Sequence, residues 1–111
     1  MNDVLKRFEL SGKTAVITGG GGELCGAMAE SLGRMGVAVA ILDLAPDKAE
    51  RRAESVRKAG GKATAVICDV LNPEQVKQSY ETVCGLWGPP DILVNGAGGN
   101  DARGSTSGEF H

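Results

Sequence analysis

Four short stretches of the sequence carry residue types that can hold a nucleotide. They are the glycines Gly19, Gly20, Gly21 and Gly22 within TGGGGELCG, the carboxylates Asp43 and Asp69, and the turn NGAGG from Asn95 to Gly99. Glycines let a backbone approach a pyrophosphate because no Cβ holds the phosphates off. A helix starting behind them adds unpaired N–H groups and a favourable dipole. The same run would also serve a plain tight turn. The dinucleotide fingerprint G-x-G-x-x-G fits in no register, since Leu24, Cys25 or Glu23 stands where a glycine is required.

Asp43 lies 24 residues beyond Gly19, near the spacing of about 20 at which an acid meets the adenosine ribose in strand–helix–strand nucleotide folds. A carboxylate there accepts both ribose hydroxyls and repels a 2′-phosphate, which favours NAD over NADP. No arginine or lysine follows it before Lys48. An exposed acid at a strand end would look the same. Asp69 either contacts an adenine edge or caps the loop leading to Asn72.

These residues need a scaffold that delivers them to one place. Lys13 to Gly19 is a short apolar run ended by glycines, which predicts a strand buried on both faces. Leu24, Met28, Leu32 and Met35 then recur at helical spacing, a predicted core-facing stripe stopped by Gly36. Val37 to Asp43 predicts a second strand. Pro46 suits a first helical turn, with Ala49, Ala53 and Val56 on one face and Gly60 and Gly61 at the end. KATAVICDV predicts a third strand. Asn72, Pro73 and Gln75 read as N-cap, N1 and N3 of a third helix, with Val76, Tyr80, Val83 and Trp87 as its stripe and Gly88 as its stop. Asp91 to Gly99 predicts a fourth strand running into a glycine turn. The segment 100–111 has no periodicity and is expected to be a mobile loop.

Strand and helix alternate, and the strands are continuously apolar. This predicts an α/β fold, a doubly wound parallel sheet of the Rossmann type in three layers, here with four strands and three helices spanning 1–99. The first strand should be central, with ligand outside the carboxyl ends of the strands beside it.

Composition narrows the function classes. Charged residues make up 23%, and the formal net charge of −2 is spread along the chain, so neither nucleic acid nor an anionic membrane is expected as a partner. The N-terminal residues MNDVLKRFELSGK have no long apolar core, so a cytoplasmic location is expected. Cys25, Cys68 and Cys84 have neither disulfide nor zinc spacing and read as small buried residues, with no metal site. Glycine is the compositional outlier, 17 of 111 residues, against about 7% in average usage. GKT at Gly12 to Thr14 is no P-loop, because Arg7 holds the first glycine position and the motif precedes its strand.

TGGGGELCGAMAESL, AILD, CDV and DILVNGAGG, in this order and spacing, resemble the N-terminal half of the short-chain dehydrogenase/reductase family over about residues 9 to 99. GGGG with LCGAMA and NGAGGN is most similar to members of the D-mannonate oxidoreductase or fructuronate reductase branch, which act on sugar acids. The resemblance implies NAD as cofactor. Gly19 to Gly22 and Leu24 would face the pyrophosphate and nicotinamide, Asp43 the adenine ribose, and Asp69 and Val70 the adenine. Asn95, Gly96, Ala97 and Gly98 would lie beside the cofactor, with Asn95 also steadying the central strand. It further implies a small-molecule substrate and a homo-oligomer, dimer or tetramer.

Two departures from the family pattern stand out. The family loop T-G-x-x-x-G-x-G has glycines where this chain has Glu23 and Cys25. Glu23 should turn outward, where it favours the helix dipole. Family chemistry rests on a serine and a Tyr-x-x-x-Lys pair downstream of the fourth strand. Tyr80, the sole tyrosine, is followed four residues later by Cys84, and its periodicity places it in a helix stripe. Ser105 and Ser107 follow the NGAGG turn too closely, and His111 has no partner in the pattern. The expectation is a cofactor-binding half without catalytic residues of its own, cut from a longer oxidoreductase; the alternative is a non-catalytic binding or structural module.

Overall fold

The computed structural model, which describes residues 10–19 and 23–96, follows the expected alternation. Its elements are β1 (Thr14–Thr18), α1 (Glu23–Arg34), β2 (Ala38–Asp43), α2 (Pro46–Lys58), β3 (Lys62–Ile67), α3 (Pro73–Trp87) and β4 (Ile92–Asn95). All strand pairs are parallel, in the order β3-β2-β1-β4, so β1 is internal and β4 lies at an edge.

Successive side chains of a strand point to opposite faces, so a sheet covered on both sides needs apolar residues at every position. Ala15 and Ile17 of β1 join Val39 and Ile41 of β2 on one face, against Ala29 of α1 and Ala49, Ala53 and Val56 of α2. Val16, Ala40 and Leu42 face the other way, toward Val83 of α3, with Trp87 half-buried beside them. Full burial of a side chain such as Ile41 stabilises the fold by about 1.5–3 kcal/mol.

Glycines end the helices where the chain must enter the left-handed region. Gly36 has φ 89° and Gly88 φ 91°. At Gly36 a Cβ would also come within 2.9 Å of the Ser11 hydroxyl oxygen. The start of α3 is capped as its sequence predicts: Asn72 Oδ1 accepts from the backbone N–H of Glu74 at 3.0 Å and of Gln75 at 3.3 Å. The Gln75 side chain reaches further back than a capping box requires and accepts from the Asp69 N–H at 2.8 Å.

The expected core stripe of α1 is turned away from the core. Leu24 is 76% exposed, Met28 39% and Met35 48%, and only Leu32 packs partly against the core. The buried face is Gly26, Ala29 and Gly33. Close approach decides this: a Cβ on Gly33 would come within 2.5 Å of Val56 Cγ1 on α2, so this face admits only small residues. On α3 the stripe is half right, with Val83 buried while Val76 and Tyr80 are exposed. Of the cysteines only Cys68 is buried; Cys25 and Cys84 are half-exposed on the helices. At the edge, Leu93 of β4 is 70% exposed, because no described element covers that side of the strand.

Candidate functional site

The strands are paired so that their carboxyl ends finish together. Thr18 is in register with Leu42 on one side and Asn95 on the other, and Asp43 with Ile67. Parallel pairing thus brings Gly19, Asp43, the loop of Cys68 to Val70, Asn95 and Gly96 to one edge of the sheet.

Gly19 donates its N–H to the Leu42 carbonyl at 2.7 Å and has φ 68°. The chain stays tied to β2 up to that residue and then turns, in a conformation that disfavours a side chain. Gly20, Gly21 and Gly22 lie outside the described residues. Beyond them Glu23 opens α1 on the exposed side, as expected for an acid at a helix N-terminus. Leu24 beside it is exposed as well.

Asp43 ends β2, and its Oδ1 accepts from the Ala45 N–H at 2.9 Å. That bond fixes the carboxylate at the mouth of the edge and shapes the turn into α2. Asp69 makes the loop bond that was one of its two readings: Oδ1 accepts from the Leu71 N–H at 3.0 Å. Val70 follows, half-buried against the α3 face.

Asn95 Oδ1 accepts from the Thr18 hydroxyl at 2.8 Å, which ties the ends of β1 and β4. Gly96 donates its N–H to the Thr18 carbonyl at 2.9 Å. A Cβ built on Gly96 would collide with the Cys25 sulfur of α1 and come within 3.0 Å of the Thr18 carbonyl oxygen. Ala97 and Gly98 lie outside the described residues, as do Gly99, Ser105, Ser107 and His111. A cleft of about 640 Å³ opens beside these strand ends on the α3 face, with Thr18, Val70, Tyr80, Leu93 and Asn95 in its wall.

Three contributors escape a reading along the chain. Thr18 looks like the last residue of a strand, yet its hydroxyl joins the two turns. Asp91 holds the other end of the same strand pair, accepting from the Thr14 N–H at 3.0 Å through Oδ2. Arg52 of α2 lies across the first turn of α1, because a Cβ on Gly26 would come within 2.6 Å of its Nε. Only the Thr-before-glycine and Pro-Pro-Asp junctions gave any local signal; Arg52 gave none.

Tyr80 is exposed on α3, and a hydrogen bond with Cys84 raises its phenol above the ordinary value. A proton donor for work near neutrality needs the opposite shift. Arg57 on α2 is also raised, first by its hydrogen bond to Glu50 and then by Glu54, but this surface network lies away from the strand ends.

The model of the family described as short chain dehydrogenase matches residues 13–110. The chain belongs to the short-chain dehydrogenase family. An uncharacterised oxidoreductase, UxuB, of Bacillus subtilis strain 168 is 48% identical over 91 residues, covering 82% of this chain and 33% of that protein. The crystal structure of a provisionally assigned D-mannonate oxidoreductase from Haemophilus influenza, solved with bound NAD, is 37% identical with a TM-score of 0.81. It is matched over 98% of this chain and 39% of its own. A hydroxysteroid dehydrogenase from Escherichia coli gives 31% identity and a TM-score of 0.76, over 82% of this chain and 40% of its own. The chain therefore spans roughly a third to two-fifths of the length of these family members.

Proposed function

We propose that this chain is the cofactor-binding part of an NAD-dependent oxidoreductase, with NAD lying across the carboxyl edge of the sheet. The observation that carries this reading is the convergence of four strand ends from distant parts of the sequence. Gly19 with its left-handed φ, Asp43, the Cys68–Val70 loop and the Asn95–Gly96 turn meet at one level. The donor set suits a dinucleotide: small residues and a helix N-terminus for phosphates, and a carboxylate for ribose hydroxyls.

In this reading Gly19, Gly20, Gly21, Gly22 and Leu24 take the pyrophosphate and nicotinamide side. Asp43 takes the adenine ribose, Asp69 and Val70 the adenine. Asn95, Gly96, Ala97 and Gly98 flank the cofactor at β4. Bound NAD would supply the hydride acceptor and NADH the donor. The substrate proposed is a sugar acid of the fructuronate or mannonate type, on the likeness to the Haemophilus structure and the GGGG, LCGAMA and NGAGGN runs. The hydroxysteroid enzyme has a similar fold over this region, so substrate choice belongs to other parts of the protein. Proton transfer is proposed to use a serine and a Tyr-x-x-x-Lys pair of the parent protein, working in the cytoplasm as a homo-oligomer.

Fluorescence titration of the chain with NADH and NADPH tests the site. NADH should bind the more tightly, through Asp43. Equal failure of both ligands would defeat the cofactor reading, and tighter NADPH binding would defeat the role given to Asp43. Assay of the parent protein against sugar-acid and steroid alcohols with NAD tests the substrate class.

A further inference from the structure

Cys25 stands where the family loop has a glycine, and the residue opposite it, Gly96, has no side chain. Three facts make these two residues depend on each other. First, Gly96 is not among the glycines with positive φ, which in the described residues are Gly12, Gly19, Gly36, Gly60 and Gly88. Its φ lies outside the left-handed region, so a positive φ is not what requires glycine here. Second, the atom that a Cβ at Gly96 would collide with is the Cys25 sulfur, with Cys25 Cβ also 3.7 Å away. Third, Gly96 cannot retreat from α1, because its N–H is bound to the Thr18 carbonyl at 2.9 Å and Asn95 is bound to the Thr18 hydroxyl at 2.8 Å.

We propose that Cys25 and Gly96 form a size-matched pair that sets the distance between the start of α1 and the end of β4, and so positions the two glycine turns for the cofactor. The thiol fills the space that a glycine in the loop would leave empty, and the bare Cα of Gly96 receives it. A side chain is tolerated at one of the two positions but not at both. Both are positioning residues: they hold the backbone of the turns and act on NAD through it. The effect on NAD rests on the cofactor reading above; the matching of the pair does not.

A double-mutant cycle on the 111-residue chain separates the two. Gly96→Ala alone overfills the contact and should lower the folding equilibrium constant roughly tenfold or more. Against a Cys25→Gly background most of that loss should disappear, leaving a small remainder from the 3.0 Å approach to the Thr18 carbonyl. NADH affinity should follow the same pattern, weakened by Gly96→Ala and recovered in the double variant. Cys25→Ser, nearly isosteric, should keep the affinity of the unsubstituted chain. Equal losses from Gly96→Ala in both backgrounds would overturn the pairing. Non-additive folding with an NADH affinity that ignores it would overturn the positioning role. If the unsubstituted chain fails to bind NADH while folding is non-additive, the cofactor reading and the positioning role fall and the packing pair stands.

Discussion

The Thr18 hydroxyl donates to Asn95 Oδ1 across 2.8 Å, joining residues 77 positions apart at the ends of β1 and β4. The bond lies between the two turns proposed to flank the cofactor. Thr18→Val removes the donor while preserving the β-branched shape, and should cost about 0.5–1.5 kcal/mol in urea unfolding. Thr18→Ser should cost less than half of that. Equal stability of Thr18→Val and the unsubstituted chain would show the bond to be dispensable.

Asp43 is expected to discriminate between the two nicotinamide cofactors. Asp43→Asn keeps an acceptor for the Ala45 N–H but loses the charge. NADH binding should weaken by roughly ten- to a hundredfold, the effect of losing hydrogen bonds to a charged group. NADPH should lose less or gain, because repulsion of its 2′-phosphate is relieved. Isothermal titration of both ligands with both proteins measures the ratio.

Gly19 must hold φ 68° at the point where β1 turns. Gly19→Ala should lower stability by about 1–2 kcal/mol, the cost of a left-handed conformation for a residue with a Cβ. Thermal unfolding reads this in the absence of any ligand.

The reversed face of α1 predicts an unusual mutational pattern. Leu24→Ala and Met28→Ala remove large apolar side chains, yet each should change stability by no more than about 0.5 kcal/mol because both sites are exposed. Gly33→Ala adds one methyl group against Val56 and should cost about 1–3 kcal/mol. The opposite ranking in denaturant unfolding would place the Leu and Met stripe in the core after all.

The raised phenol of Tyr80 makes a pH prediction with a definite sign. The hydrogen bond with Cys84 favours the protonated phenol in the folded chain. Its contribution to stability is therefore fully present below the ordinary tyrosine pKa and is lost as pH rises through the higher folded value. Phenolate absorbance of this sole tyrosine should titrate at higher pH in the native chain than in urea. Cys84→Ala should bring the two curves together.

Much of the architecture was legible because it is written in local signals. Continuous apolar runs ended by glycine or aspartate marked the strands, and Gly36, Gly60 and Gly88 marked the helix ends through a positive φ that other residues avoid. Asn72-Pro73 announced the cap of α3, where Asn72 Oδ1 accepts from the Glu74 and Gln75 N–H groups, although the Gln75 side chain accepts from Asp69 rather than from Asn72. The buried face of α1 is not legible in the sequence, for an equally physical reason. Periodicity records where large apolar residues recur, whereas a helix pressed closely against its neighbour buries the residues that take least room.

The sequence by itself determined the alternation of strands and helices, the parallel sheet, and the order in which Gly19, Asp43, Asp69 and Asn95 arrive at strand ends. Each follows from propensity, patterning and chain direction over a few residues. Tertiary structure alone decided that Thr18 bonds Asn95, that Arg52 crosses Gly26, and that Cys25 fits against Gly96. These are contacts between segments far apart in the chain, set by how closely helix and sheet approach. That distance depends on the sizes of side chains on both partners at once, and no window of one segment contains them both.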